Sequence, residues 1–174
     1  MIRGTVVVVF GLPGSGKSYF AGRLAKNLDA VYINSDQVRM DLFKKRSYSP
    51  EEKDAVYRQM LSKLTEALNQ KRNVVLDATF HKADTRELFI KEMEDKGGIQ
   101  FIEVTAKEDI IRDRLKEERP YSEADFNIYQ LISRQFEPFT RPHLLLESTN
   151  ENIDDMLLQA TAYLKNTNDN RTDQ

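Results

Sequence analysis

Residues 5–18 read Thr-Val-Val-Val-Val-Phe-Gly-Leu-Pro-Gly-Ser-Gly-Lys-Ser, an apolar, mostly β-branched run delivered straight into a glycine-rich turn. The run has no polar alternation, so the strand it forms must be covered on both faces, as an inner strand of a parallel sheet is. The turn satisfies G-x-x-x-x-G-K-[ST] through Gly11, Gly16, Lys17 and Ser18. Phe20, Leu24 and Leu28 then recur at helical spacing. Strand, glycine loop and helix in this order form a phosphate cradle. Glycines let successive backbone N–H groups point inward, and the helix N-terminus adds its unpaired donors.

The rest of the chain repeats the strand–helix alternation. Short apolar runs at 31–34, 73–76, 99–104 and 143–146 predict four more strands. Helical patterns fall at 37–45, 51–70, 82–96 (stopped by Gly97-Gly98), on either side of Pro120, and at 153–164. Five strands alternating with helices predict an α/β three-layer sandwich of the P-loop NTPase or nucleoside-kinase type: a parallel sheet with helices on both faces. One domain over 1–166 is expected, with a lid at about 112–125 and a polar, disordered tail at 167–174.

In such a sheet the chemistry lies at the carboxyl ends of the strands. The cradle predicts an ATP-binding set of Gly11, Leu12, Pro13, Gly14, Ser15, Gly16, Lys17, Ser18 and Tyr19. Lys17 is expected to bridge the β- and γ-phosphates, and the Ser18 hydroxyl to ligate Mg²⁺. Asp36 follows the second strand, with Arg39 one helical turn later. A carboxylate there can take the proton of an attacking hydroxyl, and the guanidinium can grip an anionic part of the acceptor. The competing reading makes Asp36 an N-cap and Arg39 a solvated residue. Asp77 ends the apolar run 74–76 as a strand-terminal carboxylate for Mg²⁺, with Thr79 within reach of substrate. Its alternative is a cap for the next turn. Arg114 and Arg119 are candidate lid cations that neutralise the transferring phosphoryl group, ahead of Arg112. Interleaved Asp113, Glu117 and Glu118 also suit a salt-bridged, solvent-facing helix.

Composition narrows the chemistry. The chain has no cysteine and two histidines, which excludes thiolate zinc sites and disulfides and favours a hard, oxygen-bound ion. A net charge of −2 with mixed signs argues against a primary nucleic-acid binder. The 5–10 run is too short to cross a bilayer, so no membrane association is expected and a cytoplasmic location is the default.

The order of P-loop, Ser35-Asp36-x-x-Arg39, Asp77-Ala78-Thr79-Phe80, and an Arg-rich segment before Ser122-x-Ala124-Asp125 resembles predicted P-loop kinases of the AAA_33 type. The resemblance spans 5–164. It is shared more widely with polynucleotide 5′-hydroxyl kinases, chloramphenicol phosphotransferases, gluconate and shikimate kinases, and zeta toxins. It implies that Lys17 and Ser18 bind ATP·Mg, Asp36 is general base, Arg39 engages the acceptor and a lid arginine contacts phosphates. Phe80 stands where polynucleotide kinases commonly carry Asn. No Asn-Lys-x-Asp guanine signature is present, so ATP is the expected donor. The resulting expectation is an ATP-dependent kinase acting on a small-molecule hydroxyl, with no obligate protein partner. Two alternatives are a 5′-hydroxyl kinase on RNA or DNA and a non-catalytic ATP-binding adaptor.

Overall fold

The computed structural model describes residues 4–117 and 123–172. The elements in chain order are β1 (Val6–Phe10), α1 (Lys17–Asn27), β2 (Ala30–Asn34), α2 (Ser35–Leu42), α3 (Pro50–Asn69), β3 (Asn73–Ala78) and α4 (Ala83–Met93). After a 3₁₀ turn at Glu94–Lys96 come β4 (Gln100–Thr105), α5 (Glu108–Arg114), α6 (Phe126–Gln135), β5 (Leu144–Glu147) and α7 (Ile153–Thr172). The strands form one sheet in the order β2-β3-β1-β4-β5, with every neighbouring pair parallel. This is the expected α/β sandwich. No described helix is long and apolar enough to cross a membrane.

β1 is buried along its whole length because it lies mid-sheet with helices on both sides. Its alternate residues divide the core. Val7 and Val9 pack with α1 and α7 residues such as Leu24 and Ala160, while Val6, Val8 and Phe10 pack with Met60, Leu64 and Phe89. Burying each such side chain contributes about 2 kcal/mol relative to exposure. That parity also sends Val75 to the α1 face, and Asp77, two residues on, follows it.

Three boundaries differ from the sequence reading. Helix α2 begins directly after β2, because the Asn34 side chain accepts a hydrogen bond from the Gln37 N–H at 3.0 Å. It ends at Leu42 because Phe43 turns extended and packs into the core. Helix α7 continues through Thr172, so 167–172 is helical where an unstructured tail was expected. Arg119 and the centre of the expected lid lie outside the described residues.

Candidate active site

The phosphate loop joins β1 to α1, and its shape explains two of its glycines. A Cβ on Gly11 (φ +152°) would lie 2.2 Å from the Val104 carbonyl oxygen. Gly16 (φ +88°) is the N-cap of α1, and a Cβ there would come within 2.9 Å of Ser148 Oγ and 3.1 Å of Arg114 Nη1. No side chain caps α1, and its first turn carries no acid. An uncapped helix N-terminus with Lys17 beside it presents donors and positive charge to an anion.

On one side of the loop is a cavity of about 390 Å³, lined by Gly14, Gly16, Lys17, Ser18, Tyr19 and, from elsewhere in the chain, Arg114, Ser148, Thr149 and Asn150. Arg114 is not a loose lid cation. Its Nη1 donates to the Gly14 carbonyl (3.1 Å) and Ser148 Oγ (2.9 Å), and its Nε to Asn150 Oδ1 (3.2 Å). The Ser148 hydroxyl in turn donates to the Ser15 carbonyl. The phosphate loop, the end of α5 and the turn after β5 are therefore clipped together. Arg112 faces elsewhere, paired with Glu108 at 3.0 Å and stacked over Phe126. Leu12 and Ser15 line a second cavity of about 310 Å³ towards Tyr129 and Ser133 of α6. Pro13 is buried within the loop.

At the ends of β2 and β3 the register sets Asn34 opposite Asp77. Asp77 is fully buried, and its Oδ2 accepts from the Tyr32 hydroxyl and from Asn34 Nδ2, both at 2.6 Å. Asp77 Oδ1 has no hydrogen-bond partner among the described residues. Burial, followed by the Asp77 charge, raises the Tyr32 phenol far above its usual range, so the O–H form donates. Asp77 is thus no cap for the following turn. The Ser18 carbonyl lies 3.5 Å from the Tyr32 hydroxyl, which places the start of α1 beside this carboxylate. Serine hydroxyl and a single carboxylate fit Mg²⁺, which keeps waters and takes the remainder of its shell from substrate phosphates. No group of three or more acidic, His or Cys side chains that could hold a metal ion exists among the described residues.

Asp36 sits in the first turn of α2, and Asn34 rather than Asp36 is the cap. Its Oδ1 accepts from Arg39 Nη1 at 3.1 Å. Arg39 is buried, with Nε 2.9 Å from Glu52 Oε1 and the guanidinium 4.9 Å from the Tyr48 ring centre. Glu52 is also buried and its Oε2 accepts from the Ser47 N–H and hydroxyl at 2.6 and 2.8 Å. Burial raises the Glu52 carboxyl, but hydrogen bonds from Ser47 and Tyr48 and the charge of Arg39 outweigh it and hold the carboxyl below its ordinary value. Arg39 is therefore occupied within the protein and does not stand open as an anion clamp. Glu52 carried no sequence signal, since its partner lies in another helix.

The turn after β3 is fixed from below. Phe80 is a core residue at φ +48°, packed on Tyr57 and Phe89. Fully buried Arg86 donates to the carbonyls of Phe80 (3.1 Å), Glu137 (2.7 Å) and Pro138 (3.2 Å). Thr79 is left half-buried just past the carboxyl end of β3. Burial pushes the Tyr57 phenol up to about 12, and its hydroxyl lies within electrostatic reach of Arg39, Asp36 and Asp77. Nearby, Phe43 and Tyr57 pack into the core, and Tyr48 covers Arg39.

The family model AAA_33, an AAA domain, matches residues 6–139. No curated protein sequence matches the chain. Solved structures are similar over nearly the whole length. An unliganded sugar kinase from Janibacter sp. HTCC2649 covers 93% of this chain and 95% of its own, with TM-score 0.72 and 14% identity. The APS kinase CysC of Mycobacterium tuberculosis, in complex with AMPPNP and APS, covers 94% and 98%, with TM-score 0.66 and 22% identity. Kti12 of Chaetomium thermophilum, in complex with ADP-AlF3, covers 90% and 97%, with TM-score 0.66 and 23% identity. At these identities the likeness is one of fold, and the fold is that of the α/β P-loop NTPases.

Proposed function

The chain belongs to the AAA_33 family of AAA domains, and from that footing we propose that it is an ATP-dependent kinase transferring the γ-phosphate to a hydroxyl of a small-molecule acceptor. One observation carries the reading. An uncapped helix N-terminus and the Asp36 carboxylate lie at the same carboxyl edge of the sheet, separated only by the strand that bears buried Asp77. The sugar kinase and APS kinase among the similar structures, and the adenine nucleotides in two of them, support the same class.

The N–H groups around Gly14, Gly16 and Lys17 cradle the phosphates, and the Lys17 ammonium meets the β- and γ-oxygens. The cavity walled by Tyr19, Arg114, Ser148 and Asn150 takes the remainder of the nucleotide. Ser18 and Asp77 would hold Mg²⁺, which neutralises phosphate charge when bound. Asp36 orients the acceptor hydroxyl and takes its proton as the new O–P bond forms and the bond to the β-phosphate oxygen breaks, releasing ADP. Arg39, held by Glu52, aims that carboxylate and does not grip the acceptor. Thr79, at the end of β3, adjoins the acceptor, and Arg114 braces the loop against the nucleotide. Arg119 remains the candidate for charge on the moving phosphoryl group.

The test is ADP release across a panel of small hydroxyl compounds, with a 5′-hydroxyl oligonucleotide alongside. Asp36→Asn should lower transfer by roughly 10²–10⁴-fold while ATP still binds. Unchanged turnover removes Asp36 from the chemistry. Label appearing on the oligonucleotide alone replaces the small acceptor with a polynucleotide end.

A further inference from the structure

The two oxygens of Asp77 are treated unequally. Oδ2 accepts two bonds of 2.6 Å, from the Tyr32 hydroxyl and from Asn34 Nδ2, whereas buried Oδ1 has no partner among the described residues. The register that pairs Asn34 with Asp77 puts Tyr32, two residues earlier, on the same face of the sheet. Asn34 Nδ2 also lies 3.3 Å from the Tyr32 oxygen, which closes a three-membered polar ring around Oδ2. The same hydroxyl stands 3.5 Å from the Ser18 carbonyl, in the first turn of α1.

A carboxylate pinned by one oxygen cannot rotate to share both. Its other oxygen is left without a partner among the described residues, on a carboxylate whose Tyr32 partner also reaches the Ser18 carbonyl. We infer that Tyr32 is a positioning residue for the divalent-cation site: its hydroxyl fixes Asp77 so that Oδ1 alone is presented to the metal. The inference rests on the reading of Ser18 and Asp77 as the pair that holds Mg²⁺. Partners of this kind behind a metal ligand commonly change affinity 10–100-fold when lost.

Tyr32→Phe removes the hydroxyl and keeps the ring that packs under α1. Calorimetric titration of ATP is made over a series of Mg²⁺ concentrations and in EDTA. The Mg²⁺ concentration that half-restores metal-dependent ATP affinity should rise about tenfold or more, with affinity in EDTA unchanged. A wild-type half-point overturns the inference, including the case where the variant melts earlier, because a merely structural hydroxyl would move stability alone. Asp77→Asn is titrated in parallel. If it too keeps the metal-dependent gain, the reading of the metal pair fails. If it loses the gain while Tyr32→Phe does not, Tyr32 alone is removed.

Discussion

On the proposed function, the donor and acceptor sides of this sheet edge are built on opposite electrostatic plans. On the donor side α1 has no side-chain cap and no acid in its first turn, so its backbone donors are left for a ligand. On the acceptor side α2 is capped by Asn34, α3 by Ser49, and Arg39 is ion-paired with both Asp36 and Glu52. The first side is incomplete until an anion arrives. The second is pre-organised, with Asp36 held by Arg39, Arg39 by Glu52, and Glu52 by Ser47. Nucleotide binding should therefore be sensitive to one cation and the loop backbone, whereas catalysis should be sensitive to residues that never touch substrate.

Three experiments press on this contrast, from the largest effect to the smallest. Lys17→Ala should abolish the rise in melting temperature that ATP·Mg gives the wild type, because the uncapped helix alone does not match the charge of a triphosphate. A variant that still shifts as far as wild type would remove the asymmetry. Arg39→Met should leave ATP binding intact but cost about 3 kcal/mol of stability, since Glu52 is then buried without its countercharge. Denaturant unfolding measures the loss, and an Arg39→Met, Glu52→Gln double variant should recover part of it.

The third uses pH. Burial, then the charges of Lys53 and Lys82, lowers His81 from 6.5 to about 4, so the folded protein holds it neutral where the unfolded chain would protonate it. Its contribution to stability is present above pH 6.5 and is lost as the pH falls towards 4. The loss should be small, because the ring is only partly buried. The depressed Glu52 carboxyl adds a further loss as the pH falls through the acid range. His81→Gln should flatten the upper part of this slope and leave the lower part. An unaltered slope would assign the effect elsewhere.

Much of the donor side was legible because its contacts are local. The glycine pattern, Lys17 and Ser18 are contiguous, and the strand-end positions of Asp36 and Asp77 follow from short apolar runs. What stayed hidden depends on register and on contacts between distant segments. Tyr32, Asn34 and Asp77 share a face only once β2 is paired with β3 in a known offset. Ser148 and Asn150 meet Arg114 across a separation of more than thirty residues. Arg86 lies in a charged helix, yet it is wholly buried and bonds three carbonyls. Phe80, which stands where polynucleotide kinases commonly carry Asn, is a core residue.

The clip through Ser148 has a consequence for biosynthesis. β5 is an edge strand that pairs with β4 alone, and the turn after it closes the wall of the nucleotide cavity. A nascent chain can form β1, α1 and even β4 while that wall is still missing. On the proposed function, the wall of the nucleotide site therefore closes only after residue 148 has left the ribosome, later than the phosphate loop itself takes shape.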